Sequence, residues 1–450
     1  MKKLLPLLFF LLNVSANAQD GALDLSFGTS GVAKKNLNPP KGATTLNATD
    51  ISKIVVQNDG KILQVGYKGS STGDDFVIIR YNYDGSPDAS FGTQAGGWTV
   101  TDINGKDDRA HGVAIQNDGK IIIAGETIIG VKTAFAVARY NPDGKTLDNT
   151  FGTNGLVVDL NSNPSGANSV TMQPDGKILV AGWGKENTTN DFVVTRYNTD
   201  GSFDNSFDTD GKLFTDFASG NDAATDIHFL NDGTNRILVA GYETNGPNTY
   251  FALAMYNNDG TLNAAFNGGK VVSTFTGSGR SVDIAADGKV YVTGLSNSTG
   301  NYDYTTESFN PDGTLNTFFN GSGIVKTNLG SVSDASRSVK LQCDGKILVG
   351  GEFNDPATSR YSYAVVRYNP DGSLDNSFNG NGKSIVNTGG SSNDYDYGFC
   401  GLALQDGKIL MGGVSFPPPV SLAGRIYFNP TIIRLQNNTA TAGNITPATA

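Results

Sequence analysis

Residues 170–207 read VTMQPDGKILVAGWGKENTTNDFVVTRYNTDGSFDNSF, and this stretch decides the fold. Pro174-Asp175-Gly176 is a tight-turn signal in which glycine supplies the positive φ. Period-two alternation around it places strands at 168–173 and 177–182, a third at 192–197 and an irregular fourth over 202–217. The second and third are almost continuously apolar (ILVAG, FVVTRY), which suits a sheet buried on both faces.

The unit recurs along the chain. Asp-Gly followed by a basic residue and an apolar run appears at Asp59, Asp118, Asp175, Asp287, Asp344 and Asp406, and with two residues inserted before Arg236 at Asp232. These seven copies are 55 to 62 residues apart. A second element, RYNPDGSLDNSF at 367–378, recurs with variations, its LDxSFG portion starting at Leu23, Pro87, Leu147, Phe203, Leu262, Leu315 and Leu374. Units of four antiparallel strands stacked through apolar faces build a β-propeller. The expectation is therefore an all-β, seven-bladed β-propeller of four-stranded antiparallel blades.

The units resemble the delta-sixty (delta-60) repeat family of β-propellers, whose VAxQPDGKIxVAG hairpin and ARYNPDGSLDxSFG segment are matched by 170–182 and 365–378. The resemblance covers 23–436 and implies the propeller fold, but brings no established activity or catalytic residue. The fourth unit departs from the pattern at its insertion, the fifth at Ser308-Phe309 in place of Arg-Tyr, and the seventh at a Pro-rich insert.

Residues 1–18 have the parts of a secretory signal: Lys2 and Lys3, an apolar run, then Ala16-Asn17-Ala18. The run is shorter than the roughly 20 residues that span a bilayer. An exported protein is expected, secreted, surface-held or periplasmic, with a propeller over 19–436 and a disordered polar tail over 437–450.

The chain begins with an orphan fourth strand and ends after a third strand, so the N-terminal strand is expected to complete the last blade. A pattern within the repeats specifies how. The third strand ends in Arg at Arg80, Arg139, Arg196, Arg367 and Arg434, but in Met255 and Ser308 in units four and five. The following acid is Asp88, Asp148, Asp204 and Asp375, and becomes Asn263 and Asn316 where the Arg is missing. Joint loss implies contact. Arg434 has no acid after it, and Asp24 is the unassigned one, so Asp24 and Arg434 are expected to pair, as a surface contact worth about 0.2 to 1 kcal/mol.

Composition excludes several functions. With 33 Lys+Arg against 43 Asp+Glu the formal charge is −10, and a nucleic-acid partner is not expected. Hydrophobic content of 38% supports a real core, and 57 glycines with four methionines read as turn-rich β. No membrane span is expected, and the chain is read as a monomer.

The short Asp-Gly turns belong to one face, so the opposite face carries the variable segments between second and third strands, including 183–191, 242–250, 296–304, 352–363 and 415–430. Adaptable polar residues with rigid aromatics suit binding loops. Trp183, Tyr242, Tyr302, Tyr361 and Phe416 are the candidate contacts for a protein or glycan. His111 and His228 lie at different registers, which disfavours a His-metal centre. Asp108, Asp222, Asp334 and Asp396 share a position before the first strand, at the mouth of the central channel. They either cap strand backbone or form a carboxylate ring for a cation. Calcium is the one cofactor so left open. The oxygen-rich NPDGSLD segments read as Asx turns. Cys343 and Cys400 fall at opposite levels of their strands, too far apart to bridge, so two free thiols are expected. A non-enzymatic binding scaffold is the reading, with a metal-dependent, lactonase-like hydrolase at the channel mouth as the alternative.

Overall fold

The computed structural model describes residues 19–37, 49–70, 73–159, 164–186, 188–296, 302–331, 333–358, 360–388, 395–416 and 429–437, with backbone alone at 49–52, 395, 397, 398, 400 and 416. The expected signal segment, the tail beyond 437 and the side chains of Phe416 and Cys400 lie outside them. Cys343 is a free, exposed thiol.

Among the described residues every regular element is a β-strand, apart from two single 3-10 turns at Asn267–Gly269 and Phe319–Gly321. In the third unit the strands are Ser165–Met172, Ile178–Gly184, Asp191–Tyr197 and Lys212–Thr215, hydrogen-bonded antiparallel in sequence order. We call such strands a, b, c and d. The expected irregular strand over 202–217 is a turn followed by a short strand. Asn198 N–H donates to Ser202 O and Asp204 N–H to Arg196 O, which folds the intervening chain back on strand c.

Strand a carries a bulge in each unit, at Ile51/Lys53, Ala110/Gly112, Ala167/Ser169, Ala224/Asp226, Gly279/Ser281, Ser336/Ser338 and Tyr397/Gly401. The repeated glycine that ends ILVAG follows from it. A Cβ on Gly125, Gly182, Gly241, Gly294 or Gly351 would lie 1.9 to 2.1 Å from a strand-a carbonyl oxygen, so no larger residue fits beside the bulge.

The described strands form six sheets rather than seven. Five are four-stranded, while the sixth has seven strands because Lys270–Ile284 pairs with strand c of unit four on one side and strand b of unit five on the other. The cause is local. In units two, four, six and seven Asp108, Asp222, Asp334 and Asp396 hold the turn between strand d and the next strand a, whereas unit five has Gly277 in that register and the strand runs on.

Strands a of successive units pack side by side, and Tyr395–Gln405 of unit seven packs against Thr49–Val56 of unit one. The apolar cores lie in the seams. Leu63, Val65 and Ile78 of unit one share one with Ala110, Ile121 and Ile123 of unit two, while Ile62 and Val77 share another with Leu410, Val414 and Ile432 of unit seven. Strands b and c read as apolar throughout because both their faces enter such cores.

Val32–Lys34 pairs antiparallel with Asn429–Leu435, as the outer strand of the C-terminal sheet. Arg434 Nε donates to Asp24 Oδ2 at 2.8 Å. The corresponding Arg80–Asp88, Arg139–Asp148, Arg196–Asp204 and Arg367–Asp375 pairs measure 2.7 to 2.8 Å. In unit five the neutral substitutes bond to each other, Asn316 Nδ2 to Ser308 Oγ at 3.0 Å. The expected surface location of these pairs is corrected, since Asp24 and Arg434 are both 2% exposed. Each guanidinium covers the motif phenylalanine, Arg434 over Phe27 and Arg367 over Phe378, and this stacking buries the pair. Lys61, Lys120, Lys177, Lys346 and Lys408 of the Asp-Gly-Lys turns reach the same five aspartates, so three motif elements meet at one carboxylate.

The candidate binding face and the inner strands

In units two, four and six the segments between strands b and c are not loops, as expected, but extended hairpins, whereas in unit three the ladder stops at Gly184↔Asp191. Ladder pairing continues through Tyr242↔Phe251 and Glu243↔Tyr250 to Asn245↔Asn248, and through Glu352↔Tyr363 to Asp355↔Arg360. Unit two has a similar hairpin, Ile129↔Lys132, with Val131 almost fully exposed at its tip. Cross-strand pairing overrides the turn-like composition there, leaving Gly246 at positive φ to close the hairpin of unit four.

The candidate aromatics divide by setting. Tyr302 is 42% exposed and its carbonyl accepts the Asp334 N–H at 2.8 Å. Trp183 is half-buried and lies so close over Gly166 that a Cβ there would meet its indole nitrogen at 2.7 Å. Tyr361 is half-buried on its hairpin, and Tyr242 is half-buried near Arg280.

The four carboxylates are not a ring. Asp108, Asp222 and Asp334 are fully buried and Asp396 nearly so, each in its own seam. Asp108 accepts from Ile103 N–H and Thr127 Oγ1, and Asp222 from the N–H groups of Phe217 and Thr244. Asp334 accepts from Leu329 N–H and Ser331 Oγ, and Asp396 from Thr388 N–H and Thr388 Oγ1. Each terminates strand d and starts the next strand a. Burial raises the pKa of Asp108 to about 6 despite these bonds, with Asp102 and Asp75 adding repulsion.

In the NPDGSLD segment Asp371 Oδ1 accepts both Ser373 N–H and Ser373 Oγ, and Asp375 pairs with Arg367. These bonds make the Asx turn.

The inner strands hold polar groups that sequence reading missed. The bulges bring Lys53, Ser169, Asp226, Ser281 and Ser338 to one level. Lys53 Nζ of unit one reaches Asp226 Oδ1 of unit four at 3.2 Å, and Ser169 and Ser281 donate to the same carboxylate at 2.9 and 3.0 Å. Burial alone would raise the Asp226 pKa, but Lys53, His228 and these donors outweigh it and hold it at about 2. His228 lies 3.9 Å from Asp283, and His111 lies 4.0 Å from Glu126, so the two histidines serve different surroundings.

The residues extruded by the bulges reach round toward the next unit. Asn168 Nδ2 donates to Ala224 O and Thr225 Oγ1 to Gly279 O. At this position units five and six carry Arg280 and Arg337. Arg337 meets Glu352 at 3.4 Å through a terminal guanidinium nitrogen, and the buried Nε atoms of both Arg280 and Arg337 have no hydrogen-bond partner among the described residues. Burial lowers the Arg280 pKa and neighbouring Arg337 lowers it further.

The family profile described as a domain of unknown function (DUF5122) beta-propeller matches residues 57–91, 116–151, 173–207, 233–266 and 342–378. Each match runs from an a–b turn to the motif phenylalanine or its equivalent, and so spans strands b and c of its unit.

The chain is a β-propeller repeat protein.

Solved structures with a similar course are distant. A polysaccharide lyase is 12% identical with a TM-score of 0.45, covering 91% of this chain and 93% of its own. An α-L-arabinofuranosidase from Fusarium graminearum is 11% identical with a TM-score of 0.44, covering 90% and 97%. A gluconolactonase from Xanthomonas campestris is 11% identical with a TM-score of 0.38, covering 86% and 98%. No curated protein matches the propeller's sequence. No helix among the described residues is long and apolar enough to cross a membrane.

Proposed function

We propose that this propeller is an exported, non-enzymatic binding scaffold of the delta-sixty type. It has seven blades, and its ring is closed by the N-terminal strand in the seventh. Its b–c hairpin face takes a protein or glycan ligand bearing an anionic group. Blade count and closure are supported by the long strand that serves units four and five, by the packing of unit seven against unit one, and by the pairing of Val32–Lys34 with Asn429–Leu435.

The observation that carries the binding reading is Arg280. In a chain of net charge −10, it and Arg337 stand together toward the hairpin side of the inner strands, with Tyr242 beside Arg280 and one guanidinium nitrogen still lacking an acceptor. A guanidinium with an aromatic neighbour suits a carboxylate, on a uronic sugar or an acidic side chain. The hydrolase alternative rests on Asp108, Asp222, Asp334 and Asp396 meeting one another at a single site, and each of the four serves a separate seam.

The test is an array of neutral and acidic glycans and peptides probed with the full chain. Retention of carboxylate-bearing ligands, lost on Arg280→Ala, is the expected result. Binding only to neutral ligands, or turnover of a bound lactone, would replace this reading.

A further inference from the structure

We propose that two divalent-cation sites of calcium type lie in the seams between units one and two and between units three and four. The first is formed by Asp75, Asp102 and Asp108, the second by Asp191, Asp216 and Asp222. In each set one carboxylate oxygen per residue lies within 4.8 Å of the others. Oxygens this close can share one cation, and a site drawing three protein carboxylates together suits calcium, whereas magnesium keeps most of its waters and takes one or two carboxylates.

The two sets are built alike. Asp75 and Asp191 stand at the foot of strand c, opposite Lys68 and Gly184 of strand b. Asp102 and Asp216 immediately follow strand d, and Asp108 and Asp222 come six residues later at the start of the next strand a.

A buried group outside the second triplet points the same way. Glu243 is 4% exposed, its Oε2 has no hydrogen-bond partner, and its carboxyl is pushed by burial and by repulsion from Asp222 and Asp216. In the first site Asp75 is 4% exposed and its Oδ1 is likewise unpartnered. Buried carboxylate oxygens without donors are costly unless a cation meets them. Lys68 and Lys270 are the nearest positive influences, yet none of the six aspartates forms a salt bridge among the described residues. Arg109 is engaged by Asp74 and Asp107 instead.

The third seam of this series supplies an internal comparison. Asp303 and Asp334 occupy the equivalent places, but the middle residue is Asn328, whose Nδ2 donates to Asp303 Oδ1 at 2.8 Å. One amide lets that seam satisfy itself. Where the residue is a third acid, as at Asp102 and Asp216, the missing positive partner is the ion. It would tie the foot of one unit's b–c hairpin to the inner strand of the next.

The test is titration of the chelator-stripped full chain with calcium chloride alone, and in parallel with magnesium chloride, by calorimetry and thermal melting. Two calcium ions per chain are expected, falling to one in Asp102→Asn or Asp216→Asn and to none in the double variant. Calcium raises the melting temperature of the parent and leaves that of the double variant unchanged. Because Asn328 already stands at this position in the third seam, these variants fold. No calcium binding by the parent at millimolar concentration would overturn the proposal. So would an unchanged stoichiometry in the double variant, and equal binding of magnesium would overturn the calcium assignment.

Discussion

Arg434 and Asp24, 410 residues apart in sequence, meet at 2.8 Å in a fully packed environment where Lys408, Ser26 and Gln436 also donate to the same carboxylate. Arg434 Nη1 goes on to the carbonyl of Tyr83 in unit one at 2.8 Å, so one side chain touches both ends of the repeat series. Around them the two chain ends reproduce a c–d turn. Gly21 N–H donates to Gln436 O as Gly85 N–H does to Asn82 O, and Asn379 N–H donates to Asp20 O as Gly28 N–H does to Asp84 O.

Asp24→Asn should cost about 3 kcal/mol at pH 7, because it leaves Arg434 buried without its charge partner. Burial pushes the Asp24 pKa upward, but Lys408, Ser26 and Arg434 outweigh it and hold it at about 2. A depressed carboxylate contributes stability above its unfolded pKa and loses it as pH falls through the folded one. The cost of the substitution should therefore shrink between about pH 4 and pH 2. Urea unfolding across that window checks this, and a pH-independent difference contradicts it. Deleting residues 19–37 should cost more than Asp24→Asn at any pH, since it also removes the strand that pairs with Asn429–Leu435.

How far the sequence could be read depended on whether partners lay in the repeated motif. Arg434 and Asp24 were legible because the Arg and the acid disappear together in units four and five. Their burial was not, because nothing in the spacing announces that the motif phenylalanine lies under the guanidinium. The segment 242–250 looked like a loop because Asn, Gly and Pro mark turns, and only the ladder through Glu243↔Tyr250 shows a hairpin. Asp108 and Asp222 stood out by position, whereas Asp75 and Asp191 sit on strand c, 33 and 31 residues earlier, and Asp102 and Asp216 follow strand d outside the repeated motif. The Lys53–Asp226 contact depends on bulges, whose mark in the sequence is the glycine of the neighbouring strand b rather than anything in strand a itself.

Lys53→Met should destabilise the chain by about 3 kcal/mol, since Asp226 would keep its burial and lose its cation. The double variant Lys53→Met, Asp226→Asn should recover part of that loss. Denaturation of the four members of the cycle measures the coupling, and strict additivity would show that the contact carries no weight.

Glu307 behaves in the opposite sense. It is 1% exposed, Ser273 donates to one oxygen at 3.0 Å, and burial raises its pKa to about 7. The unfolded chain gives up this proton near pH 4.5, so folding stability is full below that value and falls as pH rises toward 7. Glu307→Gln should match the parent near pH 4 and exceed it by up to about 3 kcal/mol above pH 7. Chemical denaturation at both values decides it, and a variant weaker than the parent at pH 8 contradicts it.

Asp334→Ala should lower stability by about 2 kcal/mol, because the Leu329 N–H and Ser331 hydroxyl lose their acceptor in a buried turn. The loss should be equal in calcium and in chelator, since the third seam is satisfied by Asn328. A calcium-dependent loss, read by thermal melting in both buffers, would contradict the capping role.

The binding account is tested most directly by the dissociation constant of a carboxylate-bearing array ligand for the parent, Arg280→Ala and Lys145→Ala, the last an exposed residue on the turn face. Loss of the charged contact predicts at least a tenfold weaker constant for Arg280→Ala, with Lys145→Ala unchanged. Equal affinity of Arg280→Ala and the parent, or selective weakening by Lys145→Ala, would contradict a binding face built on the b–c hairpins.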